Sequence, residues 1–124
     1  MAGPLPQTPT NILGTSTLQV DSGATVTQEF DSGQCYFFEV WVDITTNASA
    51  TAGTTVSARR KTASGTASPY ATNGLTIEVA PNTHSIVYLG SFEAGTVELV
   101  ITNNDTNTAN YYATVNAIWI RTAI

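Results

Sequence analysis

One run of alternating side chains constrains this chain more than any other feature. Between Gln34 and Ile44, the residues Tyr36, Phe38, Val40, Val42 and Ile44 fall on one face of an extended backbone, with Glu39 and Asp43 on the other. A period of two marks a strand that is half-buried in a sheet. Cys35, Phe37 and Trp41 share the second face, so part of that face is expected to be covered too. The same period returns in Leu75–Val79 (Leu75, Ile77, Val79) and in Thr96–Thr102 (Val97, Leu99, Ile101). No window sustains the 3.6-residue period of an amphipathic helix.

Turn chemistry separates these runs. Asp21-Ser22-Gly23 and Asp31-Ser32-Gly33 close Thr15–Val20 and Ala24–Phe30, and Pro81-Asn82 closes Leu75–Val79. Asp and Ser satisfy the backbone at a bend, and Gly accepts a positive φ. Three more strands are expected: Thr54–Thr62 around Val56 and Ala58, Ser85–Phe92, and Tyr111–Arg121. The last is apolar on both faces, with Tyr111, Ala113, Val115, Ala117 and Trp119 set against Tyr112, Ile118 and Ile120. Asn47–Gly53 and Ala63–Gly74 read as small-residue loops, and Asn103–Asn110 as a polar hairpin tip. Eight short strands predict an all-β fold, a single two-sheet β-sandwich. Immunoglobulin-like connectivity is expected, with a jelly roll as the alternative. The most apolar strands should be central and the Thr-rich ones at the edges.

The first fourteen residues hold Pro4, Pro6 and Pro9 with two glycines and have no period. Residues 1–14 are therefore expected to be an extended, polyproline-leaning arm, and 15–124 the sandwich domain. A length of 124 residues leaves room for one domain.

Charge narrows the function. Charged residues make up 10% of the chain, against roughly 25% in an average soluble domain, and threonine fills 22 positions. Four Lys and Arg against nine Asp and Glu give a net charge of -5. That balance argues against nucleic-acid binding by phosphate neutralisation. One Cys and one His exclude a disulfide framework and a Cys/His zinc site. No apolar run approaches the ~20 residues of a membrane-spanning helix. The opening Met1–Pro6 lacks the basic and apolar regions of a secretory signal, so synthesis in a cytoplasm is expected. The sequons at Asn47 and Asn104 carry little weight in a chain so rich in Thr and Asn.

No constellation of residues points to catalysis. His84 stands beside a turn without a recognisable nucleophile motif, and Cys35 has no Cys-x-x-Cys partner. Glu29 and Asp31 bracket Phe30 and read as turn and edge residues before they read as an acid/base pair. Asn103-x-Asp105-x-Asn107 has the oxygen spacing that opens a calcium loop, but Thr108 and Thr114 stand where that loop needs Gly and an acid. A non-enzymatic protein without cofactor or metal is expected. Arg59-Arg60-Lys61 gathers three of the four cations into one run. Its plain reading is charge protection of a sheet edge, and its functional reading is a contact for an acidic protein surface.

From Gly95 to Trp119 the chain reads Gly-Thr-Val-Glu-Leu-Val-Ile-Thr-Asn-Asn-Asp-Thr, a short tip, then Tyr-Tyr-Ala-Thr-Val-Asn-Ala-Ile-Trp. This stretch resembles the closing hairpin of small β-sandwich virion proteins of tailed bacteriophages. The earlier order of a Thr-rich strand, a strong apolar strand, a small-residue loop and a Thr-Val-x-Ala strand is similar too. The resemblance implies a capsid decoration protein on the outside of the head shell, often a trimer, bound to the major capsid protein or another virion protein. It implies an arm, with Pro4, Leu5, Pro6, Pro9 and Ile12 as contacts. Arg59, Arg60, Lys61 and Trp41 are the other expected partner contacts. The alternative is a tail-fibre, baseplate or carbohydrate-binding module, with its sugar site at the Asn103–Tyr112 tip.

Overall fold

The computed structural model describes residues 8–31, 37–60, 76–93, 95–106 and 112–123, and none of these is helical. Nine strands form: β1 (Thr10–Asn11), β2 (Leu18–Val20), β3 (Thr25–Asp31), β4 (Phe37–Thr46), β5 (Thr54–Arg60), β6 (Thr76–Val79), β7 (His84–Glu93), β8 (Thr96–Asn103) and β9 (Ala113–Ala123). They make two antiparallel sheets. Sheet I runs β1-β9-β4-β7, with β2 also paired to β9, and sheet II runs β3-β8-β5-β6.

The pairing follows a simple rule. β2 pairs with β9, β3 with β8, β4 with β7 and β5 with β6, so the chain is one long hairpin folded over on itself. Rolling that hairpin brings β9 against β4 and β8 against β5. This is the strand order of a jelly roll. It replaces the immunoglobulin-like connectivity expected first and bears out the alternative. The physical reason lies in β4 and β9, which carry large apolar side chains on both faces. Strands this apolar suit a position with a neighbour on both edges, and the two pair with each other at the centre of sheet I.

The two sheets close over a core of alternating residues. β4 contributes Val40, Val42 and Ile44, and β9 contributes Ala113, Val115 and Ile118. From the facing sheet come Val56, Ala58, Val79, Val97, Leu99 and Ile101. β8 buries every second residue from Val97 to Asn103. Each fully buried aliphatic side chain stabilises the fold by roughly 1.5–3 kcal/mol relative to exposure. The Thr-rich β5, expected at an edge, is central in sheet II. A central strand needs only one apolar face when the other meets water, and Thr54, Val56 and Ala58 supply it.

Turns and fasteners hold the ends. In Asp21-Ser22-Gly23, the Ala24 amide donates to the Asp21 carbonyl at 2.9 Å, and Gly23 sits at φ +72°. Asn103 and Asp105, read from sequence as a polar tip, are buried. Asp105 Oδ2 accepts the amides of Thr51 (2.7 Å) and Ala52 (3.3 Å), and Asn103 Nδ2 donates to the Val20 carbonyl. These side chains tie loops together and are not free to ligate a metal or a sugar.

The segment read as a strandless arm contains β1. Asn11 anchors it, with Oδ1 accepting the Ile118 amide at 3.1 Å while the Ile12 amide donates to the Ile118 carbonyl at 2.9 Å. Residues 1–7 lie outside the described residues.

Candidate functional site: the outer face of sheet I

Two β-bulges shape the outer face of sheet I. Between β4 and β9 the register passes from Asp43↔Ala117 to Ile44↔Val115, leaving Asn116 without an opposite residue. Between β4 and β7 it passes from Val40↔Gly90 to Trp41↔Tyr88, leaving Leu89 over, with Gly90 at φ +113°. An unmatched residue reverses the in-out alternation beyond it. Sequence alternation placed Trp119 on one face with Ala113 and Val115. The bulge at Asn116 instead turns Ile118 and Ile120 toward the core and Trp119 outward.

The result is an aromatic row across three strands. Trp119 on β9 stands opposite Trp41 on β4, which stands opposite Tyr88 on β7. The Trp41 and Tyr88 rings are 5.4 Å apart at their centroids and inclined at 44°. Trp41, Trp119, Ile86 and Pro9 line an open apolar groove of about 420 Å³. Ile86 is 60% exposed and Tyr88 38%, well beyond what a residue of the core would show.

Polar pairs flank the row on either side along the strands, at both ends of the face. At one end the Arg121 guanidinium meets Glu39 Oε1 through Nε at 3.0 Å and Nη2 at 2.5 Å, and lies 5.9 Å from the Trp41 ring centroid. At the other, His84 Nε2 is 2.6 Å from Asp43 Oδ1, which also accepts from Asn116 Nδ2 at 3.1 Å. Asn116 Nδ2 also donates to Thr45 Oγ1 at 2.8 Å. Thus the bulged residue that re-aims Trp119 also braces the polar end of the face. Beyond it opens a second cleft of about 490 Å³ whose lining includes Thr45, Asn82, His84 and Tyr112. Among the described residues no group of three or more His, Cys, Asp or Glu is placed to hold a metal ion.

The residues singled out from sequence scatter. Pro9 and Trp41 come together in the groove. Ile12, 36% exposed, follows β1 along the edge of β9. Arg59 lies on the outer face of the opposite sheet, its Nη2 2.9 Å from Glu98 Oε1. Arg60 belongs to β5 opposite Val97, and its side chain is outside the described residues. Pro4, Leu5, Pro6 and Lys61 are also outside them. Trp119, Tyr88, Ile86 and Arg121 were missed as site residues. The pairing of Trp41 with Trp119 becomes visible only when β4 and β9 are known to be neighbours.

No family model and no curated protein sequence matches the chain. Its fold does have structural likenesses. A chain of the infectious bursal disease virus particle matches with a TM-score of 0.62 at 12% identity, over 94% of this chain and 31% of that one. The C-terminal domain of EclA, a sugar-binding protein, matches with a TM-score of 0.55 at 15% identity, over 86% and 77%. A Bacillus endospore appendage protein, from disulfide-linked pili, matches with a TM-score of 0.52 at 12% identity, over 99% and 92%. This chain therefore spans about a third of the viral chain and most of the other two. At such identities the likeness is one of fold: a β-sandwich of the jelly-roll kind, resembling viral capsid domains and carbohydrate-binding modules.

Proposed function

We propose that this protein is a non-enzymatic virion structural protein, a decoration protein that attaches in many copies to the head shell of a tailed bacteriophage. In this reading it is made in the host cytoplasm, assembles as a homotrimer and binds the major capsid protein or another virion protein. The observation that carries the reading is the anchoring of the N-terminal segment. β1 is pinned to β9 by backbone pairing and by Asn11, so Pro4, Leu5 and Pro6 are tethered a few residues ahead of a fixed point. A short tether to a rigid domain makes a local contact effectively intramolecular once the domain has docked. Many weak attachments then add up on a repeating lattice. Binding to the assembled shell, and not to its dissociated subunits, stabilises the shell by mass action.

Co-sedimentation with DNA-filled shells lacking the protein tests this. Saturable binding at a number of copies that scales with the shell's subunits is expected, and loss of residues 1–7 should weaken it sharply while the domain stays folded. Binding confined to a few copies, or unchanged by the truncation, overturns the reading. Replacing Arg59, Arg60 and Lys61 together should lower the salt dependence of attachment.

A second reading, a carbohydrate-binding module for host attachment, is favoured by the row of Trp41, Tyr88 and Trp119. The likeness to EclA, a sugar-binding protein, is consistent with it. The site would then be the outer face of sheet I and not the Asn103–Tyr112 tip, whose Asn103 and Asp105 are committed to internal bonds.

A further inference from the structure

The geometry points to a binding site for a neutral oligosaccharide on the outer face of sheet I, an inference that rests on the second reading above and names its ligand class. From Trp119 to Tyr88 the row crosses two strand spacings, about 10 Å, a length suited to two sugar rings joined end to end. Pyranose rings present apolar C–H faces that pack on indole and phenol rings, with hydroxyls pointing outward around the ring edge. The face supplies both halves of that pattern. Trp119, Trp41, Ile86 and Pro9 give the apolar floor. Glu39 and Arg121 at one end, and Asp43, His84 and Asn116 at the other, give planar donors and acceptors within reach of the rim.

Charge selects among ligands. The carboxylate of Glu39 is bound by Arg121, and that of Asp43 by His84 and Asn116. A chain of net charge -5 that keeps its aromatic face internally paired presents there neither a cationic well for uronates or sulfates nor an unpaired acid for amines. The groove is open along its length and not a closed pit, so it suits the interior of an extended glycan before it suits a single terminal sugar.

The two tryptophans of the chain both line this groove, so tryptophan fluorescence, excited selectively over the tyrosines, reports on it. The full-length protein should be titrated with xylo-, cello-, manno- and chito-oligosaccharides, with uronate oligomers and sulfated oligosaccharides as the anionic set and a proline-rich peptide as the protein-like competitor. A saturable change with at least one neutral series is expected. Tyr88→Ala, at a solvent-facing position that should leave the fold intact, should weaken it at least ~10-fold, as should Trp41→Ala. Thr27→Ala, on the outer face of sheet II, should leave it unchanged. Binding of only the anionic set, lost in Tyr88→Ala, keeps the carbohydrate reading and overturns the neutral ligand. No response to any glycan, a response only to the peptide, or binding indifferent to both Tyr88→Ala and Trp41→Ala overturns the site and the second reading together.

Discussion

The two sheets of this sandwich solve the same inner problem and differ outside. Sheet II pairs β3, β8, β5 and β6 without a register shift among the described residues, and its outer face includes Thr25, Thr27, Thr55, Ser57 and Thr102 with Glu29, Glu98, Arg59 and the small apolar Val100. Thr25 and Thr102 share a hydroxyl–hydroxyl bond of 3.0 Å across the strands. Sheet I is bulged twice around β4, and its outer face carries two tryptophans, a tyrosine and Ile86. Regular pairing with small β-branched polar residues gives a flat, wet surface that asks nothing of a partner. Bulges cost ladder hydrogen bonds and are retained where side chains must be re-aimed. The contrast teaches that the aromatic face is a built surface and not leftover apolar residue on an ordinary sheet.

The largest test of that contrast is to remove the bulge. Deleting Asn116 together with Ala117 removes the unmatched residue and one paired residue, so continuous alternation from Val115 turns Ile118 and Ile120 outward and Trp119 into the core. Losing burial of two isoleucines costs roughly 3–6 kcal/mol, a large share of a typical domain's ~5–15 kcal/mol. Urea denaturation should show a domain that has lost cooperative unfolding or most of its stability. Near-native stability would mean that the bulge is an irregularity the sheet merely tolerates, and the distinction between the two sheets would lose its meaning.

The bulge is also where sequence reading stops. Existence and approximate bounds of β2 to β9 are legible, because period-two alternation and turn residues are local. The inward sets on β4 and β8 follow from the same alternation, and the turn at Asp21-Ser22-Gly23 from its residue types. Three things were hidden. Strand order depends on which distant strands share a neighbour, so a strand count fits two connectivities equally. The outward aim of Trp119 depends on one unmatched residue, Asn116, that looks like any polar position in a strand. The structural task of Asn103 and Asp105 depends on a strand end some eighty residues away, at Val20, and a loop some fifty away, at Thr51. Trp41, an expected partner contact on the second face of the strongest alternating run, lines the groove of the outer face. Arg59-Arg60-Lys61 was picked out for charge alone, and Arg59 proves to be paired with Glu98 on the other sheet.

A middle-sized effect separates the two faces at the level of packing. Trp119→Ala removes a half-buried indole that contacts the groove, and about 2 kcal/mol of stability should go with it, below the ~3–5 kcal/mol of a fully buried tryptophan. Val100→Ala, on the outer face of sheet II, should cost under ~1 kcal/mol. Equal shifts in the denaturation midpoint would show that the aromatic face packs no better than its plain counterpart.

The finest comparison sets one ion pair against another. Arg59 and Arg121 each bind a cross-strand glutamate, but their surroundings differ. Arg59 is 47% exposed and bonds Glu98 on the wet face, so Arg59→Ala should cost ~0.5 kcal/mol or less, most of it gone in molar salt. Arg121, 38% exposed, holds Glu39 through Nε and Nη2 just as Arg59 holds Glu98, but its guanidinium also lies against the Trp41 ring. Its removal takes away the stacking contact together with the ion pair, and cation–π contact persists where exposed charge pairing is screened. Arg121→Ala should therefore cost about 1 kcal/mol and retain much of that cost at high salt. Arg121→Lys should recover the charge but not the planar fork, and so restore only part of it. If both arginines prove equally weak and equally salt-sensitive, the polar flank of the aromatic row is ordinary surface and only its rings set sheet I apart.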